Sequence, residues 1–214
     1  MSEKRERYVK YLLDIGEVEI YGFKQDKSKL LQALYESVKD CQACALGKSR
    51  TKLVFGAGNT DARLMFIGEA PGRNEDLTGI PFVGRAGKLL DKILNAMRLS
   101  RDEIYIANIL KCRPPNNRDP LPEEEEVCIS TLMKQMDIIQ PEIICCLGRI
   151  AAQVLLGNKM TMKQLRTLDH KFRGIPLVPT YHPAALLRNE NLKKPTWDDM
   201  LKICDYLGIK VNRK

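Results

Sequence analysis

The chain has 214 residues, of which 35 are Lys or Arg and 27 are Asp or Glu, a net charge of +8. Hydrophobic residues make up 44% and charged residues 29%, enough apolar side chains to bury one core and too many for a disordered chain, while the length suits one domain and is short for two. No apolar run approaches the ~20 residues of a membrane-spanning helix, and the charged start MSEKRERYVK lacks the apolar stretch of a signal peptide, so no membrane partner is expected and the expected location is cytoplasmic. The basic excess fits an anionic partner, nucleic acid among others.

Residues 1–26 read as an N-terminal extension, in which Tyr8, Val9, Leu12 and Leu13 suit an amphipathic turn or two and residues 18–23 an extended segment. From Lys29 the spacing of Leu30, Leu31, Leu34, Tyr35 and Val38 predicts a helix that ends at Cys41-Gln42-Ala43-Cys44. Four short apolar runs then predict strands covered on both faces: Leu64-Met65-Phe66-Ile67, Ile104-Tyr105-Ile106-Ala107, Ile143-Ile144-Cys145-Cys146-Leu147 and Pro176-Leu177-Val178-Pro179-Thr180. Between and after them, helices are expected over residues 87–99, 122–139, 149–156 and 196–207. The acidic run 123–126, just after Pro122, suits a helix N-terminus. Strands alternating with helices predict an α/β domain with a mainly parallel sheet.

In such a sheet the ligand crevice lies beyond the carboxyl ends of the strands. The segments there are Gly68-Glu69-Ala70-Pro71-Gly72, Asn108 with 111–118, Gly148-Arg149, and Tyr181-His182-Pro183. They hold a large share of the chain's Gly, Pro, Asn and His. Seven cysteines, with no export signal, argue against a disulfide scaffold. Cys41 and Cys44 form a C-x-x-C; Cys112 and Cys128 are 15 residues apart, and 67 residues separate the two pairs. Four sulfurs from these pairs suit zinc or an iron–sulfur cluster, and two unrelated pairs of ordinary thiols fit the spacing as well. Cys145, Cys146 and Cys204 lie in apolar segments and read as core.

Several strings carry a resemblance. They are Gly68-Glu69-Ala70-Pro71-Gly72 with its trailing Glu75-Asp76, Pro81-Phe82-Val83-Gly84-Arg85-Ala86-Gly87, the run from Asn108 through Lys111-Cys112-Arg113-Pro114-Pro115 to Asn117-Arg118, Tyr181-His182-Pro183-Ala184, and the four cysteines. Over roughly residues 30–207 the chain resembles the type-four, thermostable-class uracil-DNA glycosylases, which carry a 4Fe–4S cluster. The resemblance implies a three-layer α/β/α sandwich around a four-stranded parallel sheet, with a glycosylase domain over residues 27–214. It implies a DNA repair hydrolase that flips uracil out of double- or single-stranded DNA as a monomer and leaves an abasic site. It assigns Cys41, Cys44, Cys112 and Cys128 to the cluster. Type-five relatives have an apolar residue in place of Glu69, and type-one enzymes have a catalytic Asp where this chain has Ala70. The Arg-Ile-His insert of the cross-linking relatives is absent from residues 170–174.

The same resemblance implies the roles in the pocket. Phe82 stacks on the flipped ring. The Asn108 carboxamide matches N3–H and O4 of uracil and mismatches cytosine. His182 aims its imidazole at uracil O2, where negative charge develops. Glu69 and Glu75 are the candidates for orienting water or stabilising positive charge on the sugar, Glu69 being alternatively a wall against the thymine methyl. Gly68 and Ala70 complete the pocket, and Asn117 is a further pocket or DNA-contacting residue. Lys48, Arg50, Lys52, Lys111, Arg113, Arg118, Arg188, Lys193 and Lys194 are read as phosphate contacts, and Leu186 or Leu187 as the wedge that fills the vacated stack.

Overall fold

The structure, a computed structural model, describes residues 26–211; the expectations for residues 1–25 lie outside it. Helix α1 (Lys27–Val38) is capped by Asp26, whose carboxylate accepts the Lys29 N–H at 3.3 Å. A single turn, α2 (Leu46–Ser49), follows the C-x-x-C. Strand β1 (Ala57–Gly58) precedes β2 (Leu64–Gly68), and α3 (Arg73–Thr78) and α4 (Arg85–Ala96) lead to β3 (Tyr105–Asn108). Helix α5 (Pro122–Ile139) carries Pro at its start, where no intrahelical N–H is lost. Its Glu124 reaches back to accept the Leu121 N–H at 2.9 Å. Then come β4 (Ile143–Leu147), α6 (Arg149–Leu156), α7 (Met162–Arg166), β5 (His170–Phe172), β6 (Ile175–Thr180), α8 (Pro183–Leu186) and α9 (Lys193–Leu207).

The sheet has six strands in the order β1-β3-β2-β4-β6-β5. The four strands expected from apolar runs form its parallel centre. The four-strand expectation omitted two antiparallel edges, β1 on β3 and β5 on β6. Neither edge has an apolar run to announce it. β5 and β6 are joined by Arg173-Gly174, with φ 49° and 84°, a two-residue hairpin with both residues left-handed.

Successive residues of each central strand point to opposite layers. Met65, Ile67, Ala107, Ile144 and Cys146 pack with Leu31 and Leu34 of α1, Leu132 and Met136 of α5 and Ala151 of α6. Leu64, Phe66, Ile106, Ile143 and Cys145 pack with Leu90 and Leu94 of α4 and Met200 and Ile203 of α9. The result is the three-layer sandwich, and Cys145, Cys146 and Cys204 are core residues with no exposure. The register sets Gly68 opposite Asn108 and Leu147 opposite Thr180. The four central strands therefore end level, and the segments that follow them share one crevice. Among the described residues no helix is long and apolar enough to cross a membrane.

Candidate active site

Asn108, the last residue of β3, is 1% exposed, and its side-chain Oδ1 is buried with no hydrogen-bond partner among the described residues. A buried acceptor left unpaired is costly, and its position identifies what it awaits. A Cβ built on Gly68 would lie 2.3 Å from that Oδ1 and 2.8 Å from the Phe82 ring. Gly68, Asn108 and Phe82 thus converge, and only glycine leaves the opening between the amide and the ring. The Phe82 ring lies 5.5 Å from the His182 ring, centre to centre, with the planes 35° apart.

Glu75, on α3, accepts the N–H groups of Val83 and Gly84 through one oxygen, both at 2.8 Å. This carboxylate holds the loop that presents Phe82. Glu69 differs. Its carboxyl forms no hydrogen bond among the described residues, and burial pushes its pKa up to about 7, with Asp119 and Glu125 adding to the rise and Arg149 opposing it. Glu75 is engaged by two backbone N–H groups, whereas burial holds the Glu69 carboxyl at the edge of ionisation.

His182 caps α8, and its Nδ1 accepts the Ala184 N–H at 3.1 Å. The ring proton is thereby assigned to Nε2. Burial, helped by Arg188 and opposed by Glu75, lowers its pKa to about 4. At neutral pH the group is a neutral imidazole with one N–H to donate. Ala70 is half-buried beside the core of the first layer. Asn117 is exposed, and its Oδ1 accepts Nε of Arg113 at 2.8 Å. It stands on the surface loop and not on the floor formed by Asn108.

The four cysteines leave α1, the turn before α2, the loop after β3 and the second turn of α5. Cys112 is within electrostatic reach of Cys41, Cys44 and Cys128, and Cys128 of Cys44. Among the described residues no three His, Cys, Asp or Glu side chains are grouped as they are around one metal ion. Two N–H donors aim at the sulfurs, Arg50 Nη1 at Cys112 and the Lys111 amide at Cys128, each at 3.2 Å. Burial raises both thiols, while Arg50 at Cys112 and Lys111 at Cys128 pull them down.

Three basic residues read as phosphate contacts are engaged inside the protein. Arg50 also donates to the Lys39 carbonyl at 2.6 Å. Arg118 forks onto Glu124 at 2.6 and 2.9 Å. Lys111 is 2% exposed, and its ammonium donates to the Asn108 carbonyl at 2.9 Å and to Gln135 at 2.7 Å. Burial lowers its pKa to about 8. Gln135 in turn donates to the Phe55 carbonyl at 2.9 Å, so Lys111 fixes the backbone of the residue that carries the free amide oxygen. A second support went unnoticed in the sequence. Arg166 grips Asp199 at 2.6 and 3.0 Å and lies 5.0 Å over the Tyr181 ring, and Thr180 donates to Asp199 at 2.8 Å. This network pins the strand end that leads into His182.

Residues 55–201 match the model of the uracil DNA glycosylase superfamily. The chain is 42% identical over 188 residues to a type-4 uracil-DNA glycosylase of Archaeoglobus fulgidus, with 84% of this chain and 94% of that protein covered. It is 41% identical over 186 residues to a protein of that name from Thermotoga maritima, covering 85% and 96%. A third, from Saccharolobus solfataricus, is 43% identical over 189 residues, covering 84% and 88%.

The geometry at His182 predicts its titration. Carbon-detected NMR of the imidazole should show the Nε2–H tautomer across neutral pH and a midpoint near 4. A midpoint at the ordinary value of about 6.5, or protonation at Nδ1, would contradict the capping bond.

Proposed function

The chain belongs to the uracil-DNA glycosylase superfamily, in its type-4 branch, and is a uracil-DNA glycosylase; we propose that it flips uracil from DNA into the crevice above β2 and β3 and hydrolyses the N-glycosidic bond there, leaving an abasic site. The single observation that carries the pocket assignment is the unpartnered Asn108 Oδ1 beneath Phe82. Uracil presents N3–H to that oxygen and O4 to the amide N–H, with its ring on Phe82. Cytosine presents an acceptor and a donor in the opposite order, and a buried polar mismatch excludes it.

As the bond between N1 and the sugar C1′ breaks, its electron pair goes to the base. Nε2–H of neutral His182 donates to O2, where the charge collects. Water adds to C1′ and its proton goes to the Glu69 carboxylate. Glu75 acts through the loop it holds. Ala70 and Gly68 leave the ring its space, and Asn117 with Arg113 belongs to the DNA-facing rim. Lys48, Lys52, Arg188, Lys193 and Lys194 are further phosphate contacts. Leu187 is 42% exposed while Leu186 is 2% exposed, so Leu187 is the wedge. The enzyme acts as a cytoplasmic monomer on double- or single-stranded DNA.

Cys41, Cys44, Cys112 and Cys128 would ligate a 4Fe–4S cluster. The donor set is soft, and two N–H groups already aim at its sulfurs, the hydrogen bonding common at such clusters. Hydrolysis moves no electrons out of the substrate, so what the cluster supplies is ligation, a cross-link between the exit of α1, the loop after β3 and α5. Protein purified without oxygen should be brown with about four irons per chain, and Cys112→Ser should lose the colour. Colourless, zinc-loaded and fully active protein would overturn this assignment.

The function is tested with a uracil-containing oligonucleotide and alkaline cleavage of abasic sites, in single turnover. Asn108→Asp should lose most uracil release and gain weak cytosine release that grows as pH falls. His182→Ala should slow release by about 10²-fold, the loss of one charge-stabilising donor, without changing base choice. Wild-type uracil rates in Asn108→Asp would refute the readout assigned to that residue.

The rate should also depend on Glu69. Its carboxylate takes the proton and its pKa is about 7, so kcat/KM should rise with pH through about 7 and level above it. Glu69→Gln should be slow and flat across that range. A wild-type rise that persists in Glu69→Gln would place the base elsewhere.

A further inference from the structure

We propose that Arg101 is a positioning residue that holds the stacking face of Phe82 in place, a proposal that rests on the reading of Phe82 as the platform for the flipped base. Phe82 has φ 54°, a left-handed backbone that bulky residues rarely adopt unless their surroundings impose it. The imposing groups are visible. The Arg101 guanidinium donates to two successive carbonyls, Pro81 at 3.1 Å and Phe82. Its Nε donates to Asp91 of α4 at 2.6 Å. All three guanidinium nitrogens are engaged, and the planar, fixed spacing of their donors suits two adjacent carbonyls in a way a lysine cannot.

The two residues that follow are held by a second group. The N–H groups of Val83 and Gly84 go to Glu75. A Cβ on Gly87 would fall 1.7 Å from the Phe82 oxygen, so the helix start packs directly on that carbonyl and only glycine fits there. Arg101 itself sits on a short 3-10 turn, Arg101–Glu103, closed by Glu103 accepting both the N–H and the hydroxyl of Ser100 at 2.8 Å. The stacking ring is thereby tied to α4 and to the approach of β3, the strand that ends in Asn108. Platform and base-reading amide are held by one connected segment, and Arg101 touches neither the base nor the reacting bond in this arrangement.

The test uses the full chain with its metal. In single turnover at saturating enzyme, Arg101→Met should lower uracil release by on the order of 10²-fold, the cost of misplacing a pocket group by about 1 Å. Arg101→Lys should recover only part, and Asp91→Asn should be impaired less than Arg101→Met. In a Phe82→Ala background, Arg101→Met should cost no more than about a factor of two. A multiplicative loss in the double variant, or a wild-type rate in Arg101→Met, overturns the proposal. Amide exchange supplies a readout independent of the chemistry. The Val83 and Gly84 amides should exchange faster in Arg101→Met while those of β2 and β4 keep their protection. Unchanged exchange at Val83 and Gly84 overturns the proposal even if the wild-type protein released no uracil, a result that would by itself overturn only the reading of the pocket.

Discussion

The structure turns on one buried oxygen that meets no hydrogen-bond donor among the described residues. Leaving an acceptor such as Asn108 Oδ1 unpaired in a protein interior costs about 1–3 kcal/mol, and a flexible site would escape that cost by rotating the amide or admitting a partner from the chain. Here the escape is closed. The strand register sets Asn108 opposite Gly68, the Lys111 ammonium and Gln135 occupy the backbone side, and Phe82 covers the opening. The hydrogen bonds of Lys111 and Gln135 hold the backbone around this one atom, and on the proposed reading that constraint favours a ligand with the matching donor.

Burial also sorts the two titratable groups of the crevice. Removing water disfavours charge on both, which lowers His182 to about 4 and raises Glu69 to about 7. The imidazole stays neutral and keeps its single N–H, while the carboxyl is held at the edge of ionisation. Like desolvation thus moves the two pKa values in opposite senses.

The layered fold was largely legible because its four central strands are uninterrupted apolar runs and its helices have regular spacing. The edges were not, since β1 has two residues and β5 mixes His170 and Lys171 with Phe172. The candidate pocket residues stood out because Gly68, Asn108 and His182 sit at or just after strand ends, where a parallel sheet places its ligands. Their supports did not. Arg101, Lys111 and Arg166 look like any solvated base in a string of letters, and the partners that define them lie 10, 24 and 33 residues away. Arg118 shows the converse. Its charge suggested a phosphate contact, and only the fold brings Glu124 back to occupy it. Asn117 has the residue type of a pocket group, but its left-handed backbone, φ 52°, and its bond to Arg113 set it on the surface.

The two edge strands bear on how the protein behaves in a crowd. A parallel sheet with open flanks offers rows of unpaired amides to any other extended chain. Here the flanks are closed by segments of two and three residues that run antiparallel to the centre, one made of Ala57 and Gly58 and the other carrying the exposed Lys171. Neither is long enough to template a foreign strand, and the lysine penalises a close approach. Neither flank of the sheet thus presents a long free edge to another extended chain.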